Sequence, residues 1–212
     1  MHQSRGLRAA RKLRTREALR DAALDLFVRQ GYDATRIDEI AEAVEVSPRT
    51  FFRYFETKQD VLLSVVREAS AVALAELERR PAAEPPLAAL GAAADFAVRD
   101  VVRRLPAHAG VELYLRVLGL LYDHSGLATA HTRLLREHAL AAAQVLARRQ
   151  GVDPTRDLRP QVLAAAHTAA LTEAHHAWHD AGRADLDALL AAIHAHLDAL
   201  PQALTERWSA DV

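Results

Sequence analysis

Between Gly31 and Thr57 the chain holds two helix-start signals, Thr35 with Asp38 and Ser47 with Pro48, so close together that only two very short helices fit. Neither is long enough to be stable alone, so both must be braced by their neighbours. Ahead of them, Leu19, Ala22, Ala23, Leu26 and Phe27 repeat at helical spacing and Gly31 supplies the stop, which predicts a first helix over about 13–30. Ile37, Ile40, Ala41 and Val44 form the stripe of a two-turn second helix. Ser47 caps the third, Pro48 takes its first position, and Phe51, Phe52 and Phe55 are read as its buried side. Thr57 with Asp60 opens a long fourth helix, which Val61, Leu62, Val65, Val66, Ala69 and Ala73 carry to about residue 80.

The segment Pro81-Ala82-Ala83-Glu84-Pro85-Pro86 cannot continue that helix, because its prolines lack donors and clash with preceding carbonyls. Beyond it the periodicity predicts helices over about 87–105, 111–122, 127–150, 161–181 and 186–200, punctuated by Pro106, Gly110, Gly126, Gly151, Pro154, Pro160 and Gly182. No stretch alternates as a strand does. The fold class is therefore all-α. Three parts are expected: residues 1–57 as a basic arm and helix-turn-helix, 58–86 as a connecting helix and Pro-rich linker, and 87–212 as a C-terminal helical domain.

Half of the residues are hydrophobic and 26% are charged, the ordinary balance of a globular protein. The absence of cysteine excludes disulfides, thiol nucleophiles and thiolate metal sites. No apolar run reaches the roughly 20 residues a membrane helix needs, and the basic N-terminus has no signal-peptide core, so a cytoplasmic protein without membrane contact is expected. The net charge of −1 hides an uneven distribution. Arg5, Arg8, Arg11, Lys12, Arg14, Arg16 and Arg20 face the single Glu17 within the first twenty residues, a charge pattern suited to a polyanion.

With the phenylalanines assigned to packing, Arg49, Thr50, Arg53 and Tyr54 of the third helix are left to face outward. Arginine pairs bidentately with guanine O6 and N7, threonine meets a thymine methyl, and tyrosine donates to phosphate. Lys58 adds positive charge at the next helix start. Ala22-Ala23-Leu24-Asp25-Leu26-Phe27, Gly31-Tyr32-Asp33-Ala34-Thr35, Ile40-Ala41, Val46-Ser47 and Thr50-Phe51-Phe52-Arg53-Tyr54-Phe55 followed by Lys58 together resemble the TetR-family DNA-binding domain, over roughly residues 12 to 66. The resemblance implies phosphate contacts at Thr50, Phe52, Tyr54 and Lys58, and base reading at Pro48, Arg49 and Arg53. Thr35 and Arg36 join them at the start of the second helix, Arg36 as an added phosphate contact. The family often has glycine where Glu45 stands, so a turn with positive φ there would cost on the order of 1 kcal/mol.

Leu186, Leu189, Leu190, Ile193, Leu197 and Leu200 form a heptad-like seam, and Leu163, Ala166, Ala170, Ala174 and Trp178 a small-residue face on the helix before. A homodimer through these last two long helices is expected, binding a near-palindromic double-stranded operator. The resemblance implies the same dimer, and implies that the middle helices enclose an unidentified small-molecule effector whose binding releases the DNA. Phe96, Arg99, Arg103, Tyr114, Arg116, Tyr122, His131 and His138 are the effector candidates, polar or aromatic side chains in otherwise apolar helices. His175, His176, His179, His194 and His196 raise the question of a metal site, but no cysteine or carboxylate set accompanies them, and interface histidines are the better reading; neither metal nor cofactor is assigned. Catalytic motifs are missing, so a regulator and not an enzyme is expected. The alternative is a helical architectural module holding DNA through backbone charge without sequence preference.

Overall fold

The computed structural model describes residues 2–105, 110–182 and 185–205, the side chains of 2–6, 8, 9 and 125 excepted. Pro106, which the sequence offers as punctuation, lies outside the described residues. The elements are α1 (His2–Gln30), α2 (Ile37–Glu42), α3 (Pro48–Phe52), α4 (Lys58–Arg79), α5 (Pro86–Arg104), α6 (Gly110–Asp123), α7 (Ser125–Gln150), α8 (Arg159–Asp180) and α9 (Leu186–Thr205), and the described residues contain no strand.

α1 begins at His2 and not near residue 13, so the basic arm is a continuation of the first helix. Arginine and lysine are good helix formers, and nothing in the arm breaks the pattern. Two of its charges are spent inside the protein. Arg20 is buried and donates to Glu68 of α4 at 2.6 Å and to Asp21 at 2.9 Å, while Arg16 reaches Glu68 at 3.2 Å and lies 5.2 Å from the centre of the Phe55 ring. These contacts and the fully buried Leu19, Ala23 and Leu24 hold α1 against α4 and the short helices.

The start of α2 differs from the expected cap. Arg36 stands at the cap position, its N–H donating to the Glu39 carboxylate at 2.8 Å, while the Thr35 hydroxyl donates to the Gly31 carbonyl at 2.8 Å and ties the preceding turn. Ser47 caps α3 by accepting from the Thr50 N–H, and Thr57 and Asp60 cap α4 reciprocally, each side chain accepting from the other's backbone N–H at 3.2 Å. Between α2 and α3, Glu45 holds φ at +54°, the left-handed conformation that favours glycine. Glu45→Gly is expected to stabilise the fold by about 0.5–1 kcal/mol, the strain relief being partly offset by the freer unfolded chain. A urea midpoint that fails to rise at constant slope would show that this turn stores no strain.

α4, with 22 residues, spans about 33 Å and carries the N-terminal helices away from the distal end of the bundle. The proline segment after it is a tight connection, not a loose hinge. Arg80 pairs with Glu84, and the Arg149 guanidinium of α7 donates to the carbonyls of Leu77, Arg80 and Pro81, satisfying the end of α4. α5 then returns along α4, and α7, α8 and α9 pack in sequence against one another.

The expected dimer seam is corrected. Leu189, Leu190, Ile193 and Leu197 of α9 and Ala170, Ala174 and Trp178 of α8 are buried within this chain, in the same core as Leu118 and Leu121. What the two helices leave outside is a different stripe. Leu158 and Val162 are 64% and 62% exposed, followed by Ala165, Ala169 and Ala177 on α8 and Ala191, Ala195 and Ala199 on α9.

Candidate nucleic-acid interface and effector cavity

α3 buries Phe51 completely and Phe55 almost so, the two rings 5.7 Å apart beneath the helix. Phe52 turns outward and is 55% exposed, which corrects the reading of all three phenylalanines as packing. Adjacent helical residues point about 100° apart, so Phe51 and Phe55 share a face that Phe52 cannot. Pro48, Arg49 and Arg53 are exposed beside it, with Thr50 and Tyr54 half-buried. The Arg53 guanidinium lies 5.0 Å from the Tyr54 ring centre and donates to the Tyr54 hydroxyl at 3.2 Å. Arg36, exposed at the head of α2, leans toward Asp38 at 3.6 Å. Arg11, Lys12 and Arg14 are exposed on α1; the side chains of Arg5 and Arg8 lie outside the described residues.

Two expected DNA contacts take other roles. Thr35 is 1% exposed and its hydroxyl is already used. The Lys58 ammonium donates to the carbonyls of Tyr32 and Thr35 at 2.7 Å and of Asp33 at 3.3 Å, and sits 4.8 Å from the centre of the Tyr32 ring. Its three protons are engaged, so Lys58 fastens the start of α4 to the α1–α2 turn. Nothing in the sequence marks this, because the acceptors are backbone carbonyls more than twenty residues away.

Between α4, α5, α6, α7 and α8, with Ile193 of α9, lies a partly open, mostly apolar cavity of about 110 Å³. Tyr114, Tyr122, His131 and His138 line it, together with His175, Thr168 and Thr172, which the sequence reading left outside its effector set, while Arg116 faces out of α6 beside Glu112. Phe96, Arg99 and Arg103 do not reach it. They occupy the opposite face of α5, with Phe96 5.9 Å beneath the Arg79 guanidinium, Arg99 paired to Asp95 and Arg103 to Asp100. Burial raises the Tyr114 and Tyr122 phenols well above their usual range. Burial, aided by the neighbouring His175 and His176, pushes His131 down to about 4, and burial also lowers His138 and His175. The histidines of α8 gather around the Tyr122 ring: His176 and His179 lie 4.6 and 6.0 Å from it, and no group of three metal-binding side chains occurs among the described residues.

Two structural routes lead from the cavity to the N-terminal helices. α4 lines it through Val65, Val66, Ala69, Ser70 and Ala73, and starts at Lys58. The end of α6 follows directly from Tyr122: the Asp123 carboxylate lies 3.0 Å from His179 Nε2, the His124 ring lies 5.4 Å from that of Tyr32, and the Gln59 amide donates to the Gly126 carbonyl at 3.5 Å.

Comparison with known proteins agrees with this architecture. A family model described as bacterial regulatory proteins, tetR family, matches residues 19–65, and one described as the MftR C-terminal domain matches residues 84–201. The chain is 37% identical over 207 residues to the HTH-type transcriptional regulator TcmR of Streptomyces glaucescens, covering 96% of this chain and 90% of that one. Among solved structures it is similar to Thermus thermophilus FadR, a TetR-family repressor in complex with lauroyl-CoA, at a TM-score of 0.56 with 22% identity, covering 93% of this chain and 98% of that one. It is also similar to SmeT in complex with triclosan, at a TM-score of 0.60 with 18% identity, covering 89% and 90% of the two chains.

Proposed function

Because the chain belongs to the TetR family of bacterial regulatory proteins, a family of DNA-binding transcription regulators, we propose that it acts as a homodimeric cytoplasmic repressor, α3 reading the operator and the cavity receiving the small molecule that ends repression. No described helix is long and apolar enough to cross a membrane. The observation that carries the reading is the double duty of α4, whose first residue fixes the α1–α2 turn and whose middle forms a wall of the cavity. The parts divide as residues 1–57 for DNA, 58–86 for transmission and 87–212 for effector and partner. Two chains meet through the outer stripes of α8 and α9, where Val162, Ala165 and Ala169 face their counterparts. The two-fold axis then sets two α3 helices one DNA turn apart.

Filling the cavity displaces α4 or the α6–α7 corner, and the spacing of the two α3 helices changes with them. The ligand must bind that displaced state more tightly than the operator-bound one, since differential affinity is the only source of the shift. Arg49 and Arg53 read bases; Thr50, Phe52, Tyr54 and Arg36 hold the backbone.

Selection of bound sequences from a random double-stranded pool tests this directly. A two-fold-symmetric site is expected, and Arg49→Ala should relax it at matching positions while weakening binding by about 1–3 kcal/mol. Arg36→Ala should weaken all sequences alike and reduce the salt slope by about one. Enrichment of no site at any salt concentration would favour the architectural alternative, in which charge alone holds the DNA.

A further inference from the structure

The cavity's own chemistry narrows what it can take. Its lining contains no Asp, Glu, Lys or Arg. An ion drawn in among these side chains would give up part of its hydration without gaining a counter-charge. Its polar groups are neutral imidazoles, phenols and hydroxyls, and they are specific in what they lack. His175 Nδ1 lies 2.6 Å from the Leu171 carbonyl oxygen. That oxygen can only accept, so Nδ1 carries the proton and Nε2 is left as an acceptor. On the neighbouring walls, His138 Nδ1 and Thr168 Oγ1 are buried without a protein partner. Buried polar atoms seldom stay so, and a group that both donates and accepts would serve an imidazole nitrogen and a hydroxyl alike. The space has room for one ring at most: an engineered apolar cavity of about 150 Å³ takes up benzene, and this one measures about 110 Å³ and is open on one side, where a ring substituent can extend. Flat surfaces already flank it, Tyr122 meeting His131 edge-on at 5.6 Å and lying nearly parallel to His175 at 6.2 Å.

We propose that the cavity binds an uncharged phenol, its ring held by the apolar walls and its hydroxyl donating to His175 Nε2. The proposal rests on the reading of this cavity as the effector site and adds the chemical class that enters it. Carboxylates and ammonium ions of the same shape are excluded by the missing counter-charge, and the bare hydrocarbon leaves the polar atoms of the wall unanswered.

Three probes of nearly equal size separate these terms: 4-ethylphenol, ethylbenzene and benzoate, titrated at pH 7.5 into the full-length protein and followed by ligand-observed NMR. The phenol is expected to bind roughly tenfold more tightly than ethylbenzene, as one neutral hydrogen bond warrants, and the carboxylate not measurably. In His175→Phe the phenol should fall to the level of ethylbenzene while ethylbenzene itself changes less than about twofold. Thr168→Val, which keeps the shape of the wall, provides a second variant and should retain the preference for phenol over carboxylate. Equal binding of phenol and ethylbenzene, tighter binding of the carboxylate, or no binding of any probe would overturn the proposal. Phenol bound in the expected order without release of a selected operator duplex would uphold the cavity chemistry and overturn the effector reading, so the two failures are distinct.

Discussion

Moving the protein from pH 7.5 to pH 5 is expected to lower its unfolding free energy by about 4 kcal/mol, chiefly through His131 and His167. Both are buried and pushed down to about 4, from 6.5 in the unfolded chain, His131 by burial and then by His175 and His176, His167 by burial and then by His138. Each is neutral in the fold and takes a proton readily once unfolded. The stability they permit is therefore complete above pH 6.5, declines as the pH falls toward 4, and levels off below it. At pH 5 each contributes a loss of about 2 kcal/mol. His138 and His175, also lowered by burial, act in the same direction. Asp157, held down to about 2 by Arg159, stays ionised throughout this window and does not contribute to the change. Urea unfolding at pH 7.5, 6 and 5 measures the effect, and His167→Leu should flatten the profile. A stability that is constant or rises toward pH 5 would mean these imidazoles are solvated or paired in solution.

The same histidines show what periodicity conveys and what it leaves out. Caps such as Ser47 with Pro48 and Thr57 with Asp60 were legible because donor and acceptor lie within one helical turn. The leucines of α9 announced a buried stripe correctly, but a stripe does not name its partner. Leu189, Ile193 and Leu197 meet this chain's own core, and the outward stripe of alanines carries almost no hydropathy signal. On α5 the facing was readable in principle. Ala94, Ala97, Val98 and Val101 share one side, so the 100° step of the helix by itself sets Phe96, Arg99 and Arg103 on the other. Lys58 and Thr35 are the opposite case. Their partners are backbone oxygens brought near by the fold, and no side-chain pattern encodes them.

Phe51 and Phe52 offer the sharpest separation of folding from recognition. Phe51→Ala is expected to cost about 3–5 kcal/mol of stability, because a fully buried ring leaves a cavity that a five-residue helix cannot close. α3 has too few backbone hydrogen bonds to persist by itself, and Phe51 with the following Phe55 ties it into the core cluster. Operator binding should therefore disappear along with local order, whatever the DNA sequence. Phe52→Ala removes an exposed ring and should leave stability within about 0.5 kcal/mol. Any loss of operator affinity in that variant then belongs to the interface alone. Chemical denaturation read beside operator titration distinguishes the two. If Phe52→Ala destabilises the fold as much as Phe51→Ala, the outward ring is part of the core after all, and α3 presents a different face to DNA.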